Sequence, residues 1–160
     1  MANCSNNFIV VSGGSPPEDI SQLLLSIDVF SLSEKKWLAS DSLPLMNQGR
    51  QSHTSCALNG YVYIFGGYRT MTDLSDSIER LYLGRSATIA TDLSWEQIQV
   101  PTNEHPQLAR MSSIFCAIDQ NEILIAGGYR AEQDDDETVS DAYILDTKSL
   151  QLHQANISTP

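Results

Sequence analysis

Arginines that follow tyrosines are the residues of this sequence best suited to binding chemistry. Arg69 follows Tyr68, and Arg130 follows Tyr129. A guanidinium is a planar fork that binds carboxylates or phosphates through paired hydrogen bonds, and a tyrosine ring places apolar surface beside it. Two further arginines precede strand-like stretches. We expect these residues to bind a partner if the fold brings them to one face: Arg50, Tyr68, Arg69, Arg110, Tyr129 and Arg130.

The cysteines and histidines would support metal or redox chemistry only if they formed a cluster. The cysteines recur at what we interpret as one repeated strand position, which favours three small buried side chains. The histidines occupy unlike positions, and no Cys-x-x-Cys or His-x-His pattern is present. We therefore predict no metal site, no cofactor and no catalytic residue among Cys4, Cys56, Cys116, His53, His105 and His153. For His53 we expect a hydrogen-bonding role near the start of a strand.

The overall charge and composition narrow the classes of partner. The formal net charge is −11, which argues against nucleic acid and against anionic membrane surfaces. No apolar run approaches the roughly 20 residues that span a bilayer, and the first residues do not resemble a secretory signal. Three cysteines are too few for a disulfide framework. We expect a cytoplasmic protein, with a nuclear location as the alternative.

The elements that must position the arginines are short strands that end in glycine pairs. The second of these, Tyr61–Phe65, is followed by Gly66-Gly67, and similar strands precede two other pairs. The pairs are spaced 53 and 61 residues apart, which indicates an internal repeat. Glycine reaches backbone angles closed to other residues and leaves room for a neighbouring chain. The repeated pairs are Gly13-Gly14, Gly66-Gly67 and Gly127-Gly128.

Each repeat reads as an antiparallel meander of four short strands, which we call A to D. The glycine-pair strand is B, and strand A precedes it across a turn; Asn59-Gly60 is the strongest hairpin signal of the three. A polar loop follows each glycine pair and leads to strands C and D. No stretch shows a sustained helical period. The sequence therefore predicts an all-β fold of three four-stranded sheets.

Chain reversals in a meander alternate between the two ends of each sheet. The post-glycine loops and the segments that precede strand A therefore fall at the same end, and the four arginines with them. A structural role is the alternative for Arg50 and Arg110, which would then pair with backbone carbonyls or with acids such as Asp76. For Arg69 and Arg130, which lie in loops, we favour the binding role.

The repeats resemble the kelch motif. A glycine doublet closes the second strand, a tyrosine follows it in two repeats, and a tryptophan, Trp37 or Trp95, lies in the last strand of the first two. A proline-to-arginine segment precedes strand A as Pro44–Arg50 and as Pro106–Arg110. The third repeat has Gln151 or Leu152 where a tryptophan would lie, and the first lacks the proline-to-arginine segment.

The resemblance implies a β-propeller in which each repeat is one antiparallel blade. The blades run over about residues 1–45, 50–101 and 110–157, and the inner strand of the first is truncated. The glycine pairs would let a large side chain such as a tryptophan approach from the adjacent blade. Propellers close with about four to eight blades. We therefore expect an incomplete propeller, completed by further blades of a longer protein, by a partner or by a homo-oligomer.

Two functions remain open at the level of the sequence. The first is a non-catalytic protein–protein interaction module, a scaffold or a substrate-recognition segment, that binds another protein, for which we favour an acidic segment. The second is part of an enzymatic propeller similar to galactose oxidase or a sialic acid mutarotase. An oxidase would need a Tyr–Cys–His copper site, and no group of such residues stands apart from the repeat pattern. We favour the interaction module.

Overall fold

Three antiparallel four-stranded sheets form the protein, and each corresponds to one repeat. The computed structural model describes residues 2–4, 7–70, 73–84, 89, 91–100, 108–131 and 136–155. No α-helix occurs among these residues; a short 3-10 turn covers Ser40–Ser42. No helix in this part of the chain has the length and apolar character to cross a membrane.

The first sheet has the strand order of the chain. It consists of β1 (Ala2–Cys4), β2 (Phe8–Ser12), β3 (Ile27–Ser31) and β4 (Lys36–Trp37), paired β1-β2-β3-β4. The inner strand β1 is short, as the sequence predicts for the first repeat. Buried and half-buried residues alternate along β2, because one face of this sheet lies against the second sheet and the other does not.

The second sheet repeats this order and adds a small hairpin after its glycine pair. Its strands are β5 (Thr54–Leu58), β6 (Tyr61–Phe65), β9 (Ile78–Tyr82) and β10 (Trp95–Ile98), and the hairpin is β7 (Tyr68–Thr70) with β8 (Asp73–Leu74). Leu58 pairs with Tyr61, so Asn59 and Gly60 form the predicted two-residue turn. Both turn residues have positive φ, 56° and 83°, which explains the Asn-Gly sequence.

The third sheet follows the same plan. It contains β11 (Ile114–Ala117), β12 (Glu122–Ala126), β15 (Ala142–Asp146) and β16 (Gln151–Gln154), and a second hairpin of β13 (Tyr129–Ala131) and β14 (Asp136–Thr138). The prediction of three separate sheets is thus confirmed. The two hairpins are an addition that the sequence analysis did not predict, because short polar segments carry little strand signal.

The hydrophobic core lies between the sheets. One cluster joins the first and second sheets, where Val10 and Val29 face Ile64 and Leu81. The other joins the second and third sheets, where Tyr63 and Phe65 face Phe115, Ile123 and neighbouring residues. Each sheet therefore buries one face against the next, as stacked repeats do.

The outward faces of the first and third sheets have no such partner among the described residues. Trp37 on the first sheet is 55% exposed and packs edge-on against Phe30, 5.3 Å between ring centroids. Ile114 on the third sheet is 59% exposed. The three stacked sheets do not close on themselves, which agrees with the expected incomplete propeller.

The cysteines do not share one repeat position. In the second and third sheets Cys56 and Cys116 pair with the residue three before the glycine pair. In the first sheet Asn3 pairs with the corresponding residue, Val10, whereas Cys4 pairs with Ile9. The equivalence predicted for Cys4 is wrong by one residue, because Cys4 lies one residue nearer to its glycine pair than Cys56 does, while the strand register is the same. Cys56 is buried and Cys116 is exposed, and both are free thiols.

Candidate functional site

The two hairpins lie side by side at one end of the sheets. β8 of the first hairpin lies next to β13 of the second. Each hairpin is also tied to the segment before strand A, through the bridges Gln51–Tyr68 and Met111–Tyr129. The post-glycine segments and the proline-to-arginine segments thus meet at the same end, as the meander predicts. Pro106 lies outside the described residues.

We call the two tyrosine–arginine pairs of these hairpins the hairpin surface; it consists of Tyr68, Arg69, Tyr129 and Arg130. Arg69 is exposed and forms an ion pair with Asp73 across its hairpin, 2.9 Å from nitrogen to oxygen. Tyr129 is 44% exposed, and Tyr68 is half-buried. Arg69 and Tyr129 are therefore accessible to a partner.

Arg130 is more enclosed than Arg69. Its guanidinium nitrogens lie 3.6 Å from Glu137 and 3.6 Å from Asp141, a distance beyond ordinary hydrogen bonds. Its buried Nε has no hydrogen-bond partner among the described residues. Arg130 therefore lies in an acidic setting without using its full donor capacity.

Arg50 is buried beneath the hairpin surface and does not reach it. Its guanidinium donates to the Gly66 carbonyl at 3.0 Å and to the Ser77 hydroxyl at 2.9 Å, and it forms an ion pair with buried Glu79. Burial lowers the pKa of Arg50, while Glu79 acts in the opposite direction. The expected binding role does not fit this position; the structural alternative does, with Glu79 in place of Asp76.

Arg110 occupies the same place in the third sheet. It donates to both carboxylate oxygens of Asp141, at 2.6 and 3.1 Å, and to the carbonyl of Gly127 at 3.2 Å. Partial burial is the largest single influence on the Asp141 pKa and raises it. The hydrogen bonds from Arg110 and from the Tyr143 hydroxyl, together with the charge of Arg110, outweigh burial, so the pKa is lowered. The binding role expected for Arg110 is again replaced by a structural one, because its side chain is fully buried and its guanidinium donates to Asp141 and to backbone carbonyls.

The glycine pairs contact backbone rather than tryptophan. The Gly14 N–H donates to the Arg50 carbonyl at 2.8 Å, and the Gly67 N–H donates to the Arg110 carbonyl at 2.9 Å. A Cβ added to Gly13 or Gly66 would overlap these same carbonyl oxygens. The prediction that a tryptophan approaches the glycines is thus wrong: Trp95 is buried in the core between the first two sheets.

His53 is buried at the junction of the first two sheets, where its Nε2 lies 2.8 Å from the hydroxyl of Ser12. This contact confirms the expected hydrogen-bonding role. Burial lowers the His53 pKa to about 3, and the charge of Arg50 acts in the same direction. A neutral imidazole therefore joins the two sheets. The described residues contain no group of three or more Cys, His, Asp or Glu side chains that could hold a metal ion.

Comparison with known proteins gives two results. A family model for the KLHDC2/KLHL20/DRC7 Kelch-repeats domain matches residues 1–160. Kelch domain-containing protein 3 from Homo sapiens and from Bos taurus is 28% identical to the chain over 102 residues. That match covers 64% of this chain and 24% of each relative, so the chain spans about a quarter of their length. The Rattus norvegicus protein of the same name is 43% identical over 42 residues.

Proposed function

The chain belongs to the kelch-repeat domain family, and on that premise we propose that it is a non-catalytic module that binds a partner protein through the hairpin surface. Kelch repeats commonly serve as protein-interaction modules. The observation that carries the proposal is the adjoining pair of hairpins, which presents Arg69, Arg130 and an exposed aromatic ring at one end of the sheets.

An acidic segment is the partner chemistry that this surface favours. The ion pair between Arg69 and Asp73 is exposed, and such pairs contribute only about 0–1 kcal/mol. An incoming carboxylate can therefore replace Asp73 at little cost. The terminal nitrogens of Arg130 lie 3.6 Å from Glu137 and Asp141 and are therefore held only loosely, and Tyr129 adds exposed apolar surface at the same end of the sheets. Because the neighbouring acids repel a second carboxylate, we expect binding to be weak and to weaken further with salt.

The test measures binding of a fluorescent ten-residue glutamate peptide by anisotropy, followed by pull-down of partners from lysate. We expect Arg69→Ala/Arg130→Ala to lose most of the peptide binding and of the partner recovery, with the fold intact by circular dichroism. The matched control is Lys36→Ala/Lys148→Ala, which removes one positive charge at the start of β4 and one from the turn between β15 and β16, both at the opposite end of the sheets. The proposal is contradicted if both double variants bind equally well.

A further inference from the structure

The turn between β5 and β6 combines an asparagine, a glycine and access to water. Asn59 is exposed and Gly60 is half-buried. Glycine carries no side chain that could shield its backbone nitrogen from the neighbouring asparagine amide. The Gly60 N–H donates no backbone hydrogen bond to the described residues, whereas its carbonyl accepts from Leu83 at 2.9 Å. The Gly60 nitrogen is therefore placed next to the Asn59 side chain without a competing backbone acceptor.

The corresponding turns of the first and third sheets lack this combination. Their last residues, Asn7 and Asn121, are half-buried asparagines that each precede the first residue of a strand, Phe8 or Glu122. A residue with a Cβ follows each asparagine, and a strand backbone is less free to move than a glycine turn. Asn7 and Asn121 are thus matched controls within the same chain for any reaction that is particular to the turn of Asn59 and Gly60.

The side-chain amide of Asn59 also joins the second sheet to the third. Its Nδ2 donates to the carbonyl of Gln120 at 2.6 Å, from one A–B turn to the next. Near the other end of the same two inner strands, the hydroxyls of Thr54 and Ser113 lie 3.4 Å apart. β5 and β11 lie side by side between these contacts. A change in the Asn59 amide would therefore act directly on the contact between the two sheets, at the end opposite to the hairpin surface.

We propose that Asn59 is a site of deamidation, and that its conversion releases the A–B turn of the second sheet from that of the third. The side-chain amide first leaves the Gln120 carbonyl, and the Gly60 backbone nitrogen then attacks the amide carbon, Cγ. A carbon–nitrogen bond forms and closes a succinimide ring, the Cγ–Nδ2 bond breaks, and the Gly60 proton leaves with Nδ2 as ammonia. One water molecule then opens the ring at either carbonyl, which gives aspartate or isoaspartate. Water is the co-reactant, and the step needs no oxidant or reductant.

Neither product can restore the contact between the turns. A carboxylate only accepts hydrogen bonds, so it cannot donate to the Gln120 carbonyl as the amide does. Isoaspartate also inserts the side-chain methylene into the backbone of a turn that joins directly paired residues, Leu58 and Tyr61. Since the register of a hairpin depends on loop length, the longer turn strains the pairing beside it. We expect faster hydrogen exchange in the two A–B turns after deamidation, and no change at the hairpin surface.

The test ages the purified chain in mildly alkaline buffer, which favours loss of the proton from the attacking nitrogen. Peptide mapping by mass spectrometry, with an isoaspartate-specific methyltransferase as the second readout, follows each asparagine. We expect Asn59 to convert about tenfold faster than Asn7 or Asn121, because only Asn59 among the three precedes a glycine. Hydrogen exchange over residues 58–61 and 118–122 should then be faster in the aged chain than in the fresh chain. Equal conversion of the three asparagines would overturn the proposal.

Two variants separate the modification from general ageing. Asn59→Asp carries a product side chain from the start, so its fresh form should exchange like the aged wild type at residues 118–122. Asn59→Gly keeps the turn but cannot deamidate at this position, so its exchange there should not change on ageing. A change in aged Asn59→Gly would assign the effect to another residue, and unaltered exchange in Asn59→Asp would show that the amide does not hold the two turns together. Either result would overturn the proposal.

Discussion

At the scale of the residue, the arginines divide by burial into two classes that the sequence distinguishes only in part, because it left a structural role for Arg50 and Arg110 as an alternative. Arg50 and Arg110 sit in repeated positions and resemble candidates for binding, yet both are enclosed. Their carboxylate partners Glu79 and Asp141 lie 29 and 31 residues further along the chain. Charge and local spacing cannot reveal such partners, because the pairing depends on which strands become neighbours in the sheet.

Removal of Arg50 should therefore be far more costly than removal of Arg69. Loss of one partner from a buried ion pair costs about 3–5 kcal/mol, because the other charge is left without compensation. We expect this loss in the free energy of unfolding for Arg50→Met, measured by urea denaturation. Arg69→Met, at an exposed pair, should cost less than about 1 kcal/mol. Similar losses for the two variants would refute the distinction between them.

His53 should make stability sensitive to mild acid. Its pKa is about 3 in the folded chain and about 6.5 when unfolded. The unfolded state therefore binds the proton more strongly, and stability falls as the pH drops below about 6.5. Between pH 7 and pH 5 this contribution amounts to about 2 kcal/mol. We expect His53→Gln to show a smaller loss over this range in urea denaturation, and His153→Gln, at an exposed position, to behave like the wild type. Equal losses in all three proteins would contradict the assignment.

At the scale of the element, the strands and their turns were largely predictable. Strand β6 has the predicted bounds, Tyr61–Phe65, and each repeat contains the predicted four strands in the predicted order. These strands were predictable because hydrophobic alternation and glycine pairs are local features of the sequence. The hairpins of the hairpin surface were missed, since Tyr68–Thr70 and Asp73–Leu74 are too short to show a period. The contact between glycine and carbonyl was missed because it joins different repeats.

The turn between β5 and β6 offers a test at this scale. Gly60 has φ of 83°, which an L-residue adopts at a cost of about 1–2 kcal/mol. We expect Gly60→Ala to lower the free energy of unfolding by about that amount. Asn59→Gly keeps the turn conformation and loses the hydrogen bond from Asn59 to the Gln120 carbonyl, so its cost should be only about 0.5–1.5 kcal/mol. An unchanged stability in Gly60→Ala would show that the turn does not fix the register.

At the scale of the whole molecule, three stacked sheets leave two apolar faces in contact with water. Trp37 marks the outward face of the first sheet and Ile114 that of the third. Apolar sheet faces of this kind favour association. We expect the 160-residue chain to aggregate or to form a specific oligomer as its concentration rises, and light scattering measures this directly.

The variant Trp37→Glu/Ile114→Glu should reduce that association, because a carboxylate on each outward face resists burial against a second chain. Leu45→Glu is the matched control: Leu45 is 63% exposed, but it lies in the connection that follows the first sheet and not on a sheet face. If exposed sheet faces drive association, the control should scatter light as the wild type does. A wild-type chain that stays monomeric at high concentration and melts in one sharp transition would show that three sheets are stable without further cover. Equal suppression by Leu45→Glu would assign the association to general surface hydrophobicity instead of to the outward faces.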